Sequence, residues 1–193
     1  MFNTEDEILR RLQEKNLEMA VMFYHWCQRN HLTCYLCGGG CIGAIRHGGF
    51  IPWDDDADIM MLREDYDKFL EIAQSELPEG LTLQTSKTDK YCHYPFAKIR
   101  LDDTMFATKY SKTHGKMNNG MAFDIFAHDN TANSALGQKL HLQFTLLIRA
   151  MIFNKWNHRK INNKKKVQSF VANILKAIFP IRVSQWIQLS LIH

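Results

Sequence analysis

Proline and glycine are scarce, at 4 and 10 of 193 residues, which excludes collagen-like and linker-rich chains. No stretch of about eighteen uncharged apolar residues occurs, so no transmembrane helix is expected. The best run, Phe144 to Phe153, is cut by Arg149. The N-terminus, Met1-Phe2-Asn3-Thr4-Glu5-Asp6-Glu7, has neither the basic start nor the apolar block of a secretory signal. A cytoplasmic location is therefore the expectation. Acid is missing altogether from residues 130–193, which carry ten Lys or Arg and no Asp or Glu. Residues 1–129 carry a formal charge of −6 and the remainder +10. A half without carboxylates suggests contact with something anionic, such as a nucleotide, a phosphorylated glycan or an acidic lipid surface, or else a solvated basic helical face. Nucleic acid is not the expected partner, because no recognised binding module accompanies the charge.

The five cysteines are an odd number in a chain without a signal, which argues against a disulfide framework. Cys34-x-x-Cys37 lacks the second ligand pair of a zinc site, and Tyr35 and Leu36 between the two read as strand. Buried, reduced thiols are expected. With 46% hydrophobic residues the chain has enough apolar content to fold around a core.

Thr4-x-x-Glu7 is a capping-box pattern, and Ile8, Leu9, Leu12, Met19, Met22, Phe23 and Trp26 follow at helical spacing. A long helix over about 5–29 is expected. Thr33 to Cys37 reads as a buried strand ended by Gly38-Gly39-Gly40, and Cys41 to His47 as a short helix. A strand over 57–62 and a helix over 64–77 follow. Strands are expected over 81–85, 97–101, 104–108 and 121–126, with Asp102-Asp103 turning a hairpin between the middle pair. Helices are expected over 135–155, 165–178 and 181–191, with Pro180 separating the last two. The alternation implies an α/β (α+β) fold: a mixed sheet with flanking helices and a C-terminal helical extension. The domain expectation is a core over 1–130 and a basic helical extension over 131–193.

The segment from Cys37 to Leu62, CGGGCIGAIRHGGFIPWDDDADIMML, concentrates the chemistry. Asp56 and Asp58 stand one residue apart at the start of a strand, so period-two geometry puts both carboxylates on one face. Two such carboxylates repel unless a divalent cation sits between them, and Mg²⁺ takes carboxylates together with phosphate oxygens. Asp54 and Asp55 read as solvated loop acids. A strand running through Gly38 and Gly39 into a helix leaves backbone N–H groups open to phosphate. Asp124, an acid among apolar neighbours in a predicted strand, needs a partner or a metal and is the expected third carboxylate.

The run from Gly38-Gly39 through Gly43-Ala44-Ile45-Arg46-His47 to Phe50-Ile51-Pro52-Trp53-Asp54-Asp55-Asp56-Ala57-Asp58-Ile59 resembles the signature of the LicD family. So do Arg63 to Leu70, Lys98-Ile99-Arg100 followed by Thr104, and Phe123-Asp124-Ile125-Phe126. The likeness spans about residues 5–130. Gly40 replaces the family's usual Thr or Ser, and members generally run longer. The resemblance implies a nucleotidyltransferase-like fold and a phosphotransferase. Such an enzyme moves a substituted phosphate, phosphocholine first among candidates, from a CDP-linked donor to a hydroxyl of a cell-surface glycan. It implies Mg²⁺ or Mn²⁺ on Asp56, Asp58 and Asp124, and donor phosphate at Gly38, Gly39, Arg46 and Lys98. A quaternary ammonium would need an aromatic cage, for which Trp53, Tyr91, Tyr94 and Phe96 are near in sequence. Peripheral membrane contact through the basic C-terminal helices is a further expectation. The rivals are an NTP-dependent nucleotidyltransferase releasing pyrophosphate, and a truncated, non-catalytic accessory protein.

Overall fold

The computed structural model describes residues 4–92, 94–106 and 116–156. The expected helices over 165–178 and 181–191 lie outside these residues, as does most of the acid-free basic segment.

Helix α1 spans Glu5–Arg29, and its first turn is capped as the sequence implies: Thr4 Oγ1 accepts from the Glu7 N–H at 3.3 Å. Glu5, Asp6 and Glu7 set negative charge against the positive end of the helix dipole. Its buried face is Asn16, Met19, Phe23, Trp26 and Cys27, a stripe at three- and four-residue spacing. Strand β1 (Tyr35–Cys37) leads directly into α2 (Gly38–His47), and β2 (Asp58–Leu62) directly into α3 (Arg63–Glu76). Strands β3 (Leu81–Gln84), β4 (Ala97–Leu101) and β5 (Ala122–His128) complete a five-stranded sheet in the order β1-β2-β5-β4-β3. Only β2 and β5 run parallel; the other pairs are antiparallel. The mixed sheet with flanking helices is the α+β architecture expected.

The core joins Met19, Phe23 and Trp26 of α1 and Tyr66, Phe69 and Ala73 of α3 to the sheet residues Ile59, Met61, Ile99, Phe123 and Ile125. Phe23 is its hub, with ring centroids 5.6 Å from Phe69 and 5.4 Å from Phe123. Such edge-on aromatic pairs add to the area they bury. Trp26 Nε1 donates to Glu76 O at 2.6 Å, tying the end of α1 to the end of α3.

Several expectations need correction. The strand over 33–37 is not buried: β1 is an edge strand with Tyr35 and Leu36 each 46% exposed. An apolar run does not say which strand ends the sheet. The glycine triplet does not stop before a helix but forms the first turn of α2. The strand expected over 104–108 is absent in its described part, 104–106. There Thr104 Oγ1 donates to Leu101 O at 2.6 Å and accepts from the Met121 N–H at 2.9 Å. These local side-chain bonds compete with a ladder. Asp103 (φ 56) sits in the turn that ends β4 rather than in a hairpin. The cysteines are free as expected, but Cys27 and Cys92 alone are buried; Cys34, Cys37 and Cys41 are partly exposed.

The chain divides into two units after His128. In the second, α4 covers Ala135–Trp156, the first of the expected C-terminal helices. No helix among the described residues is long and apolar enough to cross a membrane.

Candidate active site

Sheet register assembles the site. Asp58 of β2 is aligned with Asp124 on the neighbouring parallel strand β5, and Asp124 faces Lys98 on β4. Adjacent strands lie about 4.8 Å apart, so three charged positions fall in one row. Asp56 precedes β2 rather than lying in it. The chain there is fixed by the Asp124 N–H donating to Ala57 O at 3.3 Å. Of the expected trio, up to 68 positions apart, Asp58 lies beside Asp124 in register and Asp56 lines one cavity with Asp124, but the ligand atoms of the three do not all lie within 4.8 Å of one another.

The acidic loop is held from below by α1. Gln13 Nε2 donates to Ile51 O at 3.2 Å and to Asp54 O at 2.8 Å. Asn16 Nδ2 donates to Asp55 O at 2.8 Å. The backbone carbonyls of Ile51, Asp54 and Asp55 are therefore served by helix side chains. Trp53 stands 77% exposed beyond them.

Gly38 and Gly39 are glycine for reasons of space. Gly38 has φ +53, and a Cβ there would come 2.8 Å from Asp58 Oδ2. A Cβ on Gly39 would come 2.2 Å from Asp54 Oδ2. A side chain at either position would require the facing carboxylate to move. Asp54, Asp55 and Asp56 offer ligand atoms within 4.8 Å of one another, the one such group of three among the described residues.

Electrostatics mark these acids as strained. Burial, then the charges of Asp56, Asp124 and Asp54, pushes Asp58 up to about 6; Lys98 opposes this. Asp56 is also raised, by burial first and then by Asp54, Asp55 and Asp124. Lys98 Nζ is ion-paired with Asp124 Oδ1 and lies 4.4 Å from the Tyr94 ring centre and 5.3 Å from that of Phe96. The cation facing the aromatics in this structure is thus the protein's own. One lysine against a cluster of acids leaves the site short of positive charge. Hard oxygen donors gathered in this way fit Mg²⁺ or Mn²⁺.

A cavity of about 170 Å³ opens beside the acids, lined among others by Asn16, Asp56, Tyr94, Lys98, Arg100 and Asp124. Of the four residues expected at donor phosphate, Gly38, Gly39 and Lys98 adjoin the acids. Arg46 is exposed in the last turn of α2 and does not line the cavity. Of the four aromatics, Tyr94 alone lines it; Phe96 packs on Phe126 at 4.7 Å, and Tyr91 lies under Lys90 and Lys116.

Among the lining residues given no role by sequence reasoning are Arg100 and Asn16. Arg100 is 7% exposed, and its guanidinium donates from Nε to Gln84 Oε1 at 2.8 Å and from Nη1 to Gly120 O at 2.5 Å. Its signal was its place in the Lys98-Ile99-Arg100 stretch. Asn16 sits in a helical stripe of core residues, where nothing distinguishes it from a misplaced polar residue.

Comparison with known proteins agrees with this geometry. The family described as LicD/FKTN/FKRP, nucleotidyltransferase domain, matches residues 31–146. The chain is similar to the lipopolysaccharide cholinephosphotransferase LicD of Haemophilus influenzae. The two are 34% identical over 125 residues, covering 65% of this chain and 46% of that protein. An uncharacterized protein of Rickettsia typhi is 33% identical over 64 residues, covering 33% of this chain and 21% of the relative. The chain thus spans less than half the length of either relative. No solved structure matches it. With the family matched over more than half of its length, and with Asp58 and Asp124 side by side in the sheet next to the glycine turn, the chain belongs to the LicD family.

Proposed function

We propose that the protein is a metal-dependent phosphotransferase that moves a substituted phosphate from a CDP-linked donor to a hydroxyl of a cell-surface glycan. Phosphocholine is the group favoured, by likeness to the Haemophilus influenzae enzyme. The observation that supports the reading is the register of Asp58 beside Asp124, with Gly38 close against Asp58 and Gly39 against Asp54.

Asp56, Asp58 and Asp124 would hold a Mg²⁺ or Mn²⁺ ion, which when bound supplies charge neutralisation and orientation of the donor phosphate for in-line displacement. The acceptor oxygen forms its bond to phosphorus as the bond from phosphorus to the CMP oxygen breaks. Asp124 takes the proton that the hydroxyl loses. The N–H groups at the start of α2 receive phosphate oxygens. Lys98 exchanges its pairing with Asp124 for the negative charge arriving with the donor.

The test is incubation of the chain with Mg²⁺ and, in turn, CDP-choline, CDP-ribitol and NTPs, in the presence of a glycan acceptor. CMP released only when acceptor is present, and lost on chelation, is the expected result. Pyrophosphate released from an NTP would replace this reading with that of a true nucleotidyltransferase. No turnover with any donor would leave a binding protein.

A further inference from the structure

The chain reverses tightly at the end of α1. The His31 N–H donates to Gln28 O at 3.2 Å and the Leu32 N–H to Cys27 O at 2.9 Å, with His31 in the left-handed region at φ 55. This is the paired bonding of a Schellman cap, with histidine where glycine is usual. The next residue is pinned in turn, because the Thr33 N–H donates to Asp65 Oδ2 of α3 at 3.2 Å. Cys34 therefore returns beside the last turn of the helix that the chain has just left. Cys27 is fully buried in the core, and Cys34 packs against that core while remaining partly exposed. The two thiols are hydrogen-bonded to each other.

The cysteines differ in what surrounds them. Burial first, then the charges of Asp58, Cys41 and Asp124, pushes Cys37 up to about 11. Burial likewise pushes Cys92 up to about 11. Thiols so raised stay protonated and react slowly. Cys34 goes the other way: its hydrogen bond with Cys27 holds it below the ordinary thiol value, against the effect of burial. The same bond raises Cys27, as do burial and the charges of Cys34 and Asp65. One sulfur of the pair is thus reachable and readily loses its proton, whereas the other is out of reach of solvent and keeps it. An attacking thiol beside a resolving thiol has these properties.

We propose that Cys27 and Cys34 form a reversible dithiol–disulfide site whose co-reactant is a low-molecular-weight disulfide such as oxidised glutathione. The Cys34 thiolate attacks one sulfur of that disulfide. Its S–S bond breaks, a mixed disulfide forms on Cys34, and the first glutathione thiolate leaves. Cys27 then attacks Cys34 Sγ, its proton passing to the released thiolate. The mixed bond breaks and the second glutathione leaves. Two protein thiols are oxidised by two electrons, and one small disulfide is reduced to two thiols. The new bond ties the end of α1 to the residue before β1 and restricts the unfolded chain. The acids of the candidate active site take no part, so the site stands apart from the transferase reading.

The test is incubation of the full chain in mixtures of reduced and oxidised glutathione, followed by acid quenching, alkylation and peptide mass spectrometry. The folded parent should lose two free thiols and gain a Cys27–Cys34 link that dithiothreitol reverses. Cys27→Ser should stop at one glutathione on Cys34. Cys34→Ser should give neither a link nor an adduct at Cys27. Should Cys27→Ser fail to fold by circular dichroism, Cys27→Ala takes its place, and the link in the parent decides the matter by itself. In brief alkylation of the reduced, folded parent, Cys34 should be labelled about tenfold faster than Cys37, which is also partly exposed. The proposal is overturned by the absence of any link, by a link through Cys37, Cys41 or Cys92 in its place, or by a Cys27–Cys34 link that forms only in urea. Glutathione that stays on Cys34 of the parent, or labelling of Cys34 no faster than of Cys37, overturns it equally.

Discussion

Strands β2 and β5 have two faces, and they are built on opposite principles. Ile59, Met61, Phe123 and Ile125 are buried against α1 and α3; Asp58 and Asp124, alternating with them, collect on the other side. The first face pairs every ring with another ring. The second assembles like charges with too few cations, a cost that a fold selected for stability alone would not carry. One face holds the sheet together, and the other uses that rigidity to keep carboxylates where they would not stay unaided.

The comparison is most severely broken at the hub of the apolar face. Phe23→Ala should cost about 3–5 kcal/mol, since Phe69 and Phe123 lose a shared partner and cannot close the gap. Urea unfolding monitored by circular dichroism should show the loss. The remaining folded molecules should bind CMP as before. A loss of affinity larger than the unfolded fraction would mean that the two faces are not separable.

The opposite lesion is Asp58→Asn. It should leave the fold intact and reduce CMP release by a factor on the order of a thousand, the value of several kcal/mol of charge stabilisation. Arg46→Ala, at an exposed position outside the cavity, is the companion variant and should leave turnover unchanged. Turnover by Asp58→Asn near the parent's rate would remove the acids from the chemistry.

The boundary between the faces and the glycine turn is sharpened by Gly38→Ala. The left-handed conformation at φ +53 costs an L-residue about 1–2 kcal/mol, and the new Cβ would press on Asp58 Oδ2. Stability and turnover should fall together in this variant alone. A change in stability without a change in turnover would show that Asp58 has room to move.

How far the two faces could be read from residues alone differs in the same way. The apolar face was legible because its signals are local. Thr4 and Glu7 announce the start of α1, and a three- and four-residue stripe announces what α1 buries. The acids were legible because Asp56 and Asp58 are near neighbours in a motif; Asp124 was legible because it interrupts an apolar strand. What stayed hidden depends on distant partners. Gly38 and Gly39 read as a stop, because the carboxylates that exclude a side chain there come from 54 and 58. Asn16 acquires meaning only when Asp55, 39 residues on, is brought above it. Arg100 does so when Gln84 and Gly120, 16 and 20 positions away, take up its bonds. Edge exposure of β1 is a property of the sheet and not of Tyr35-Leu36-Cys37.

The smallest expected effect is the one that measures the cost of the acidic face directly. In metal-free protein kept in chelator, Asp58 titrates near 6 instead of near 3.8, mainly through burial. Between about pH 4 and 6 the folded chain therefore binds more protons than the unfolded chain, and stability must fall as pH rises through that window. Below it the carboxyl is protonated in both states and carries no penalty; above it the penalty is complete. Asp58→Asn removes the titrating group while keeping its shape. The difference in unfolding free energy between variant and parent should be near zero at pH 4 and favour the variant above pH 6. Titrations that do not depend on Asp58 cancel in that difference. Asp58 is half-exposed, so water screens the effect to a fraction of what a fully buried acid would show. A flat difference curve would mean that the row of acids costs the fold nothing, and the contrast between the two faces would lose its energetic basis.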